Sequence, residues 1–188
     1  MTFELTIIEH SPGQLLETAN AFVSMHNNTL EYGKDHKLDI ATLCSYAYRN
    51  YPRNGMPGYL TNYASLRAAR RIAYVRKRFR SDADIMDFAL KQPTVLYDKL
   101  MVYPNFEKKK VRLLSIGGDI DFAFTYDERL AIPEDKIEGA KLCFREDGTP
   151  YLQLFFQNTN WRKTNASKHK QEIKKWAYES SWGRITRV

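Results

Sequence analysis

Few residues of this 188-residue chain combine a type and spacing that could do chemistry. Asp119 and Asp121, in Gly-Gly-Asp-Ile-Asp-Phe, stand two apart. On a strand they would share a face, and two carboxylates so placed can hold Mg²⁺. A metal nuclease needs a third acid converging from elsewhere, and no residue identifies itself as that acid. The other reading is a pair of solvent-facing acids on an edge strand. The histidines His10, His26, His36 and His169 are scattered, and no pair has metal-ligand spacing near Cys44 or Cys143. His26 falls on the inner stripe of a helix, where a hydrogen-bonded, half-buried histidine is the plainer reading. There is no phosphate-binding loop, no dinucleotide fingerprint, no G-x-S-x-G elbow and no H-E-x-x-H zinc helix. These features predict a protein that is not an enzyme and uses neither metal nor cofactor.

Charge says more. The chain carries 29 basic and 22 acidic side chains, a net +7. Residues 40–81 contain no acid but nine bases: Arg49, Arg53, Arg67, Arg70, Arg71, Arg76, Lys77, Arg78 and Arg80. Residues 161–188 are +6, so the remainder of the chain is −8. Such segregation is the footprint of a polyanionic partner; the alternative is a solvated charged face. Within the first block Arg67, Arg71, Tyr74 and Arg78 step by four, three and four, flanked by Arg70 and Lys77. Over residues 66–90 arginine outnumbers lysine six to one, a bias that suits bidentate phosphate recognition. Lys108, Lys109, Lys110 and Arg112 follow Tyr103 and Phe106, bringing phosphate-neutralising groups beside rings that can stack on unpaired bases. Arg162, Lys163, Lys174 and Lys175 carry the C-terminal block.

The elements that must position these residues follow from periodicity. Residues 3–10 alternate apolar and polar, the pattern of a half-buried strand. Ser11-Pro12 reads as a helix cap followed by proline at the first helical position, and Leu15, Ala19, Phe22, Val23, His26 and Leu30 extend that helix to about Tyr32. Asp39 caps a second helix over 39–49, and the prolines and glycines of 51–58 make a loop. In the third helix Leu60, Ala64, Ala68, Ile72, Val75 and Phe79 form one apolar stripe beside the cationic ridge. A short acidic helix over 82–90 ends before Pro93. Strands are predicted at 95–97, 111–116, 120–126, 130–132, 140–145 and 151–157, the last pair a hairpin around Asp147-Gly148. A lone first strand needs a partner, so the helices are an insertion into one sheet. The expected fold is α+β: an antiparallel β-barrel or sheet from 1–10 and 94–160, a helical lobe over 11–93, and a basic C-terminal helix or tail over 161–188.

In order along the chain, several segments resemble the recognition half of TnpB-like transposon proteins and type V CRISPR effectors. These are the opening strand, Ser11-Pro-Gly-Gln14, the helix end His26-Asn-Asn-Thr-Leu-Glu-Tyr32, and Met56-Pro-Gly-Tyr-Leu60 with its arginine helix. Tyr103-Pro-Asn-Phe-Glu-Lys-Lys-Lys110 and Asp147-Gly-Thr-Pro-Tyr-Leu152 continue the series, which covers about residues 1–157. The resemblance implies a wedge-like β lobe and a helical lobe gripping guide RNA. It implies that Lys108, Lys109, Lys110 and Arg112 touch RNA backbone, and that Asn62, Tyr63, Arg67 and Arg70 face the RNA–DNA duplex or the adjacent motif. Where the family continues into a RuvC-type nuclease, this chain has Asn158-Thr-Asn-Trp-Arg-Lys163 and one more helix, and the zinc knuckle is missing.

The expectation is therefore a nuclease-deficient, mobile-element-type protein that binds guide or structured RNA, and target DNA with it. It would act with a separate nuclease or effector, or compete with one. The second expectation is an inhibitor that docks its basic faces on a nucleic-acid enzyme. No apolar run reaches membrane-spanning length, and MTFELTIIEH lacks the basic start of a signal peptide, so a cytoplasmic location without a membrane partner is expected.

Overall fold

The structure is a computed structural model and describes residues 3–9, 12–79, 82, 84–129, 132 and 136–156. Strand β1 (Phe3–Glu9) leads into three helices, α1 (Pro12–Asp35), α2 (Ile40–Asn50) and α3 (Gly58–Phe79), and a 3₁₀ turn, Ile85–Phe88. Six strands follow: β2 (Val95–Asp98), β3 (Val102–Asn105), β4 (Lys110–Ser115), β5 (Gly118–Thr125), β6 (Ile137–Phe144) and β7 (Pro150–Phe156). They form one antiparallel sheet in the order β2-β6-β7-β1-β5-β4-β3. The first strand lies inside the sheet, pairing with β7 on one side and β5 on the other. The architecture is α+β with the helices inserted after the first strand, as the isolated alternation of residues 3–8 predicts.

Period-two burial selects the inner face. Phe3, Leu5 and Ile7 point inward beside Leu152 and Leu154, and Phe122 and Phe124 continue that face across the next strand. Against it α1 lays Leu15, Ala19, Phe22 and Met25, and α3 adds Leu60 and Ala64. Burying Leu15, Phe22 or Met25 contributes roughly 1.5–3 kcal/mol each before chain entropy is counted. Farther along the helices a second, smaller core holds Leu30, Leu43, Ala68, Ala69, Ile72, Val75 and Ile85. The helices thus share the sheet's core at one end and keep their own at the other.

Polar side chains fix how these layers meet. Gln14 Nε2 donates to the Ile116 carbonyl, and Thr18 Oγ1 accepts from Ile116 N at 3.0 Å, joining α1 to the turn after β4. Asn27 grips Leu90 twice: its Nδ2 donates to Leu90 O and its Oδ1 accepts from Leu90 N, both at 2.9 Å. Asp39 caps α2 by accepting from Thr42 N at 3.0 Å. The β6–β7 hairpin closes as its Asp-Gly sequence predicts, with Gly148 at φ 83°, Gly148 N donating to Arg145 O and Thr149 N donating to Asp147 Oδ1.

Several expectations need amendment. The acidic helix over 82–90 shrinks to a 3₁₀ turn, because Asp84 makes no side-chain cap and Asn27 holds Leu90 N. Tyr103-Pro104-Asn105 belongs to β3, a strand disguised by its proline; β3 is an edge strand, where proline is tolerated. Phe79, expected on the apolar stripe, is 51% exposed at the end of α3. Of the strand expected over 130–132, only Ile132 is described, and it is not in a strand. The C-terminal helix with Arg162, Lys163, Lys174 and Lys175 lies outside the described residues. Among the described residues no helix is long and apolar enough to cross a membrane.

Gly139 marks the tightest strand approach: an added Cβ there would lie 2.4 Å from the Tyr97 carbonyl oxygen. That atom is backbone, so it cannot swing aside, and β2 would have to lift from β6. Gly139→Ala is expected to destabilise the fold by about 1–3 kcal/mol in urea unfolding. A change within a few tenths of that unit would show that β2 pairs more loosely than described.

Candidate nucleic-acid interface

The cationic ridge exists because α3 packs through small residues. Its buried arc is Leu60, Thr61, Ala64, Ser65, Ala68, Ala69, Ile72 and Val75. Thr61 and Ser65 sit within it because their hydroxyls donate back to helix carbonyls, to Pro57 O and Asn62 O at 3.0 Å. The remaining circumference carries Asn62, Arg67, Arg70, Arg71, Tyr74, Lys77 and Arg78. Asn62, Arg71, Lys77 and Arg78 are exposed, whereas Tyr63, Arg67, Arg70 and Tyr74 are half-buried.

Arg67, Arg70 and Arg71 crowd together. Burial, then the charge of Arg67, lowers the proton affinity of Arg71; burial lowers that of Arg70, with Arg67 adding to it. The Arg71 guanidinium lies 4.4 Å over the Phe88 ring and 6.0 Å from that of Tyr74. A guanidinium held by its face on a ring keeps its N–H edge for a planar anion. Arg70 Nη1 is shielded from solvent and has no hydrogen-bond partner among the described residues. Leaving such a donor unmatched costs about 1–3 kcal/mol. Tyr63, which the resemblance places at the duplex, is half-buried, packed against the sheet's core, with Arg67 and Arg70 nearby. Asp98 lies beside Tyr59 and Tyr63, accepting from Tyr59 Oη at 3.3 Å, and makes no ion pair with these arginines.

Five described cations find acids. Arg76, one of the nine bases of the first block, binds Asp82 at 2.5 Å and donates from Nη2 to the Gly33 carbonyl at 2.7 Å. It clips the end of α1 to α3 and is not part of a free ridge. Lys109 pairs with Glu128, and Arg112 holds Asp121 with two hydrogen bonds at 2.8 and 3.2 Å. Arg129 pairs with Asp127, and Arg145 approaches Glu4 at 3.8 Å. By contrast Arg67, Arg70 and Arg71 have no carboxylate partner among the described residues.

The lysine cluster is a hairpin turn. Residues 106–109 join β3 to β4, Asn105 Oδ1 accepts from Lys108 N at 2.8 Å, and Lys109 adopts φ 49°. Lys108, Lys109 and Lys110 are exposed, but Phe106 is core, 5.5 Å from the Phe124 ring, so the expected base-stacking use of Phe106 fails. Tyr103 stays exposed, its hydroxyl donating to Leu100 O. Asp119 and Asp121 are both solvent-facing, with Asp121 occupied by Arg112. Among the described residues no three His, Cys, Asp or Glu side chains are placed to hold a metal ion.

Compared with known proteins, the chain matches no family model and shows no significant similarity to any curated protein.

Sequence periodicity singled out His26 as an inward residue, but not its neighbours. It is 5% exposed, and its Nδ1–H donates to Asn27 Oδ1 at 3.1 Å, leaving Nε2 as the site of any further proton. Burial, with Arg67 and Arg71 adding to it, holds its pKa near 4 against an ordinary 6.5. Below pH 6.5 the unfolded chain takes up a proton that the native histidine refuses until about pH 4. Stability is therefore complete above pH 6.5 and falls toward pH 4, by about 3 kcal/mol in all. His26→Gln should flatten the part of this slope between pH 6.5 and 5, above the usual carboxylate range, in urea unfolding followed across pH. An unchanged slope would put the titration on another group.

Proposed function

We propose that this chain is a non-catalytic nucleic-acid-binding protein that grips structured or guide RNA along the exposed side of α3. The observation that carries the reading is the contrast in charge pairing. Five described cations, Arg76 of the same helix among them, are matched to carboxylates, while three neighbouring arginines of α3 have no carboxylate partner among the described residues. Fold stability gives no reason for that concentration, since like charges at helical spacing repel. A phosphodiester backbone supplies the missing negative charge and accepts in the plane of each guanidinium. Arg67, Arg70 and Arg71 form the centre of the grip, and Arg78 and Lys77 extend it toward the end of the helix. The lysines of the β3–β4 turn offer a second contact through Lys108 and Lys110.

The order of segments resembling TnpB-like proteins agrees with a guide RNA as the partner and with the RNA–DNA duplex as a further one. It also agrees with a cytoplasmic setting in which a separate nuclease or effector supplies cleavage. Asp121, the acid best placed for metal chemistry in the sequence, is engaged by Arg112, which supports a gripping role over a cutting one.

Filter binding to structured RNA across a salt series tests this reading. Affinity should fall steeply with salt. Arg71→Glu with Arg78→Glu, at two exposed positions, should weaken all sequences alike and make the logarithmic salt slope shallower by roughly 1.5–2. A slope near zero for the unaltered protein would end the proposal. A partner protein that stays bound after nuclease treatment, with no RNA affinity, would favour the inhibitor reading instead.

A further inference from the structure

Away from α3, an open groove of about 710 Å³ runs between residues 89–94 and the outward face of the β6–β7 hairpin. Its floor is set by strand register: Lys141 pairs with Gln153 and Cys143 with Tyr151, all on the side opposite the core. Its wall is pinned at both ends. Asn27 holds Leu90 with two hydrogen bonds, and Thr94 Oγ1 donates to Leu142 O at 2.7 Å. The groove is therefore built before anything enters it, and its volume is that of a site for a small group, not a duplex.

The lining has a definite chemistry. Lys91, Lys141 and Arg145 stand against Glu146 in the lining and Glu4 beside it, three cations to two carboxylates. The Arg145 guanidinium lies 5.3 Å from the centre of the Tyr151 ring, while its contact with Glu4 is long, at 3.8 Å. A ring with a guanidinium over it is a flat, polarised stack that a base can extend, and the two other cations suit a phosphate. Gln153 adds an amide whose Nε2 approaches Glu4 Oε1 at 3.5 Å, with its carbonyl oxygen as an acceptor.

We infer that this groove holds one unpaired nucleotide of a bound RNA strand, with its base stacked on Tyr151 and Arg145 and its phosphate on Lys141. The inference rests on RNA being the partner but uses residues separate from the arginines of α3. It gives the protein a means of distinguishing single-stranded from paired RNA, which a backbone grip alone does not supply.

Cys143, half-buried in the groove, reports its occupancy, whereas Cys44, half-buried on α2 beside Arg70, reports on the α3 site. The full chain would be alkylated with and without saturating single-stranded oligouridylate or oligoadenylate, and each cysteine read by mass spectrometry. Single-stranded RNA should protect Cys143, and the same length of duplex RNA should not. Tyr151→Ala is expected to weaken single-strand binding about tenfold. Lys141→Glu, on the outward side of β6, should weaken it too and serves if the tyrosine variant does not fold. Arg71→Glu with Arg78→Glu should keep Cys143 protection once RNA is raised to saturation. Equal Cys143 reactivity with RNA bound to saturation overturns the groove and leaves the α3 reading standing. Protection by duplex RNA to the same extent overturns its selectivity for an unpaired nucleotide. Absence of salt-sensitive RNA binding overturns both readings together.

Discussion

The pairing of β1 with both β5 and β7 is the constraint on which the rest of the molecule depends. A strand from the start of the chain can be interior to the sheet only if residues more than a hundred positions later close around it. The chain after β1 must leave the sheet and return to it. The three helices do so as an insertion, and α1, next in sequence, is pressed onto the sheet's apolar face by Leu15, Phe22 and Met25. With α1 covering that face, α3 packs on α1 and α2 for much of its length, leaving a long side of its surface uncovered. The cationic side of α3 is thus a consequence of layer order as well as of composition.

That arrangement also explains why the arginines stay apart from the protein's own acids. The acids lie mainly on turns and on the outward side of the sheet, where Asp121, Asp127 and Glu128 neutralise Arg112, Arg129 and Lys109. Arg76 is drawn the other way, onto the last carbonyls of α1, where a cation also suits the helix dipole. Arg67, Arg70 and Arg71 are left with rings, a phenol and one another. Their lowered proton affinities do not remove their charge, since an arginine remains protonated far above neutral pH. The strain of their proximity therefore persists in the free protein and is available to be relieved by an anion.

Much of the fold could be read from local pattern. Asp39 behaves as a cap, Asp147-Gly148 makes its turn, and the α3 stripe is buried from Leu60 to Val75, because each depends on neighbours within a few residues. Features that depend on distant partners could not be read. Nothing near Arg76 or Arg112 in sequence shows that one meets an acid and two helix-end carbonyls, and the other a carboxylate across a strand pair. Phe106 looked like a ring beside lysines, and only the packing of β5 shows that it is core. The groove was partly within reach: Lys141, Cys143, Tyr151 and Gln153 are the outward positions of a recognised hairpin, but the wall that makes them concave comes from residues 89–94. The segments that carry the family resemblance include Gln14, Asn27 and Asp147, each of which holds backbone in place.

The two margins of the sheet, β2 and β3, are each only four residues long, and β3 contains Pro104. A border that short, with one backbone donor removed, makes a poor template for a neighbouring chain. Where copies crowd side by side, these blunted borders favour their remaining separate particles over fusing into fibrils.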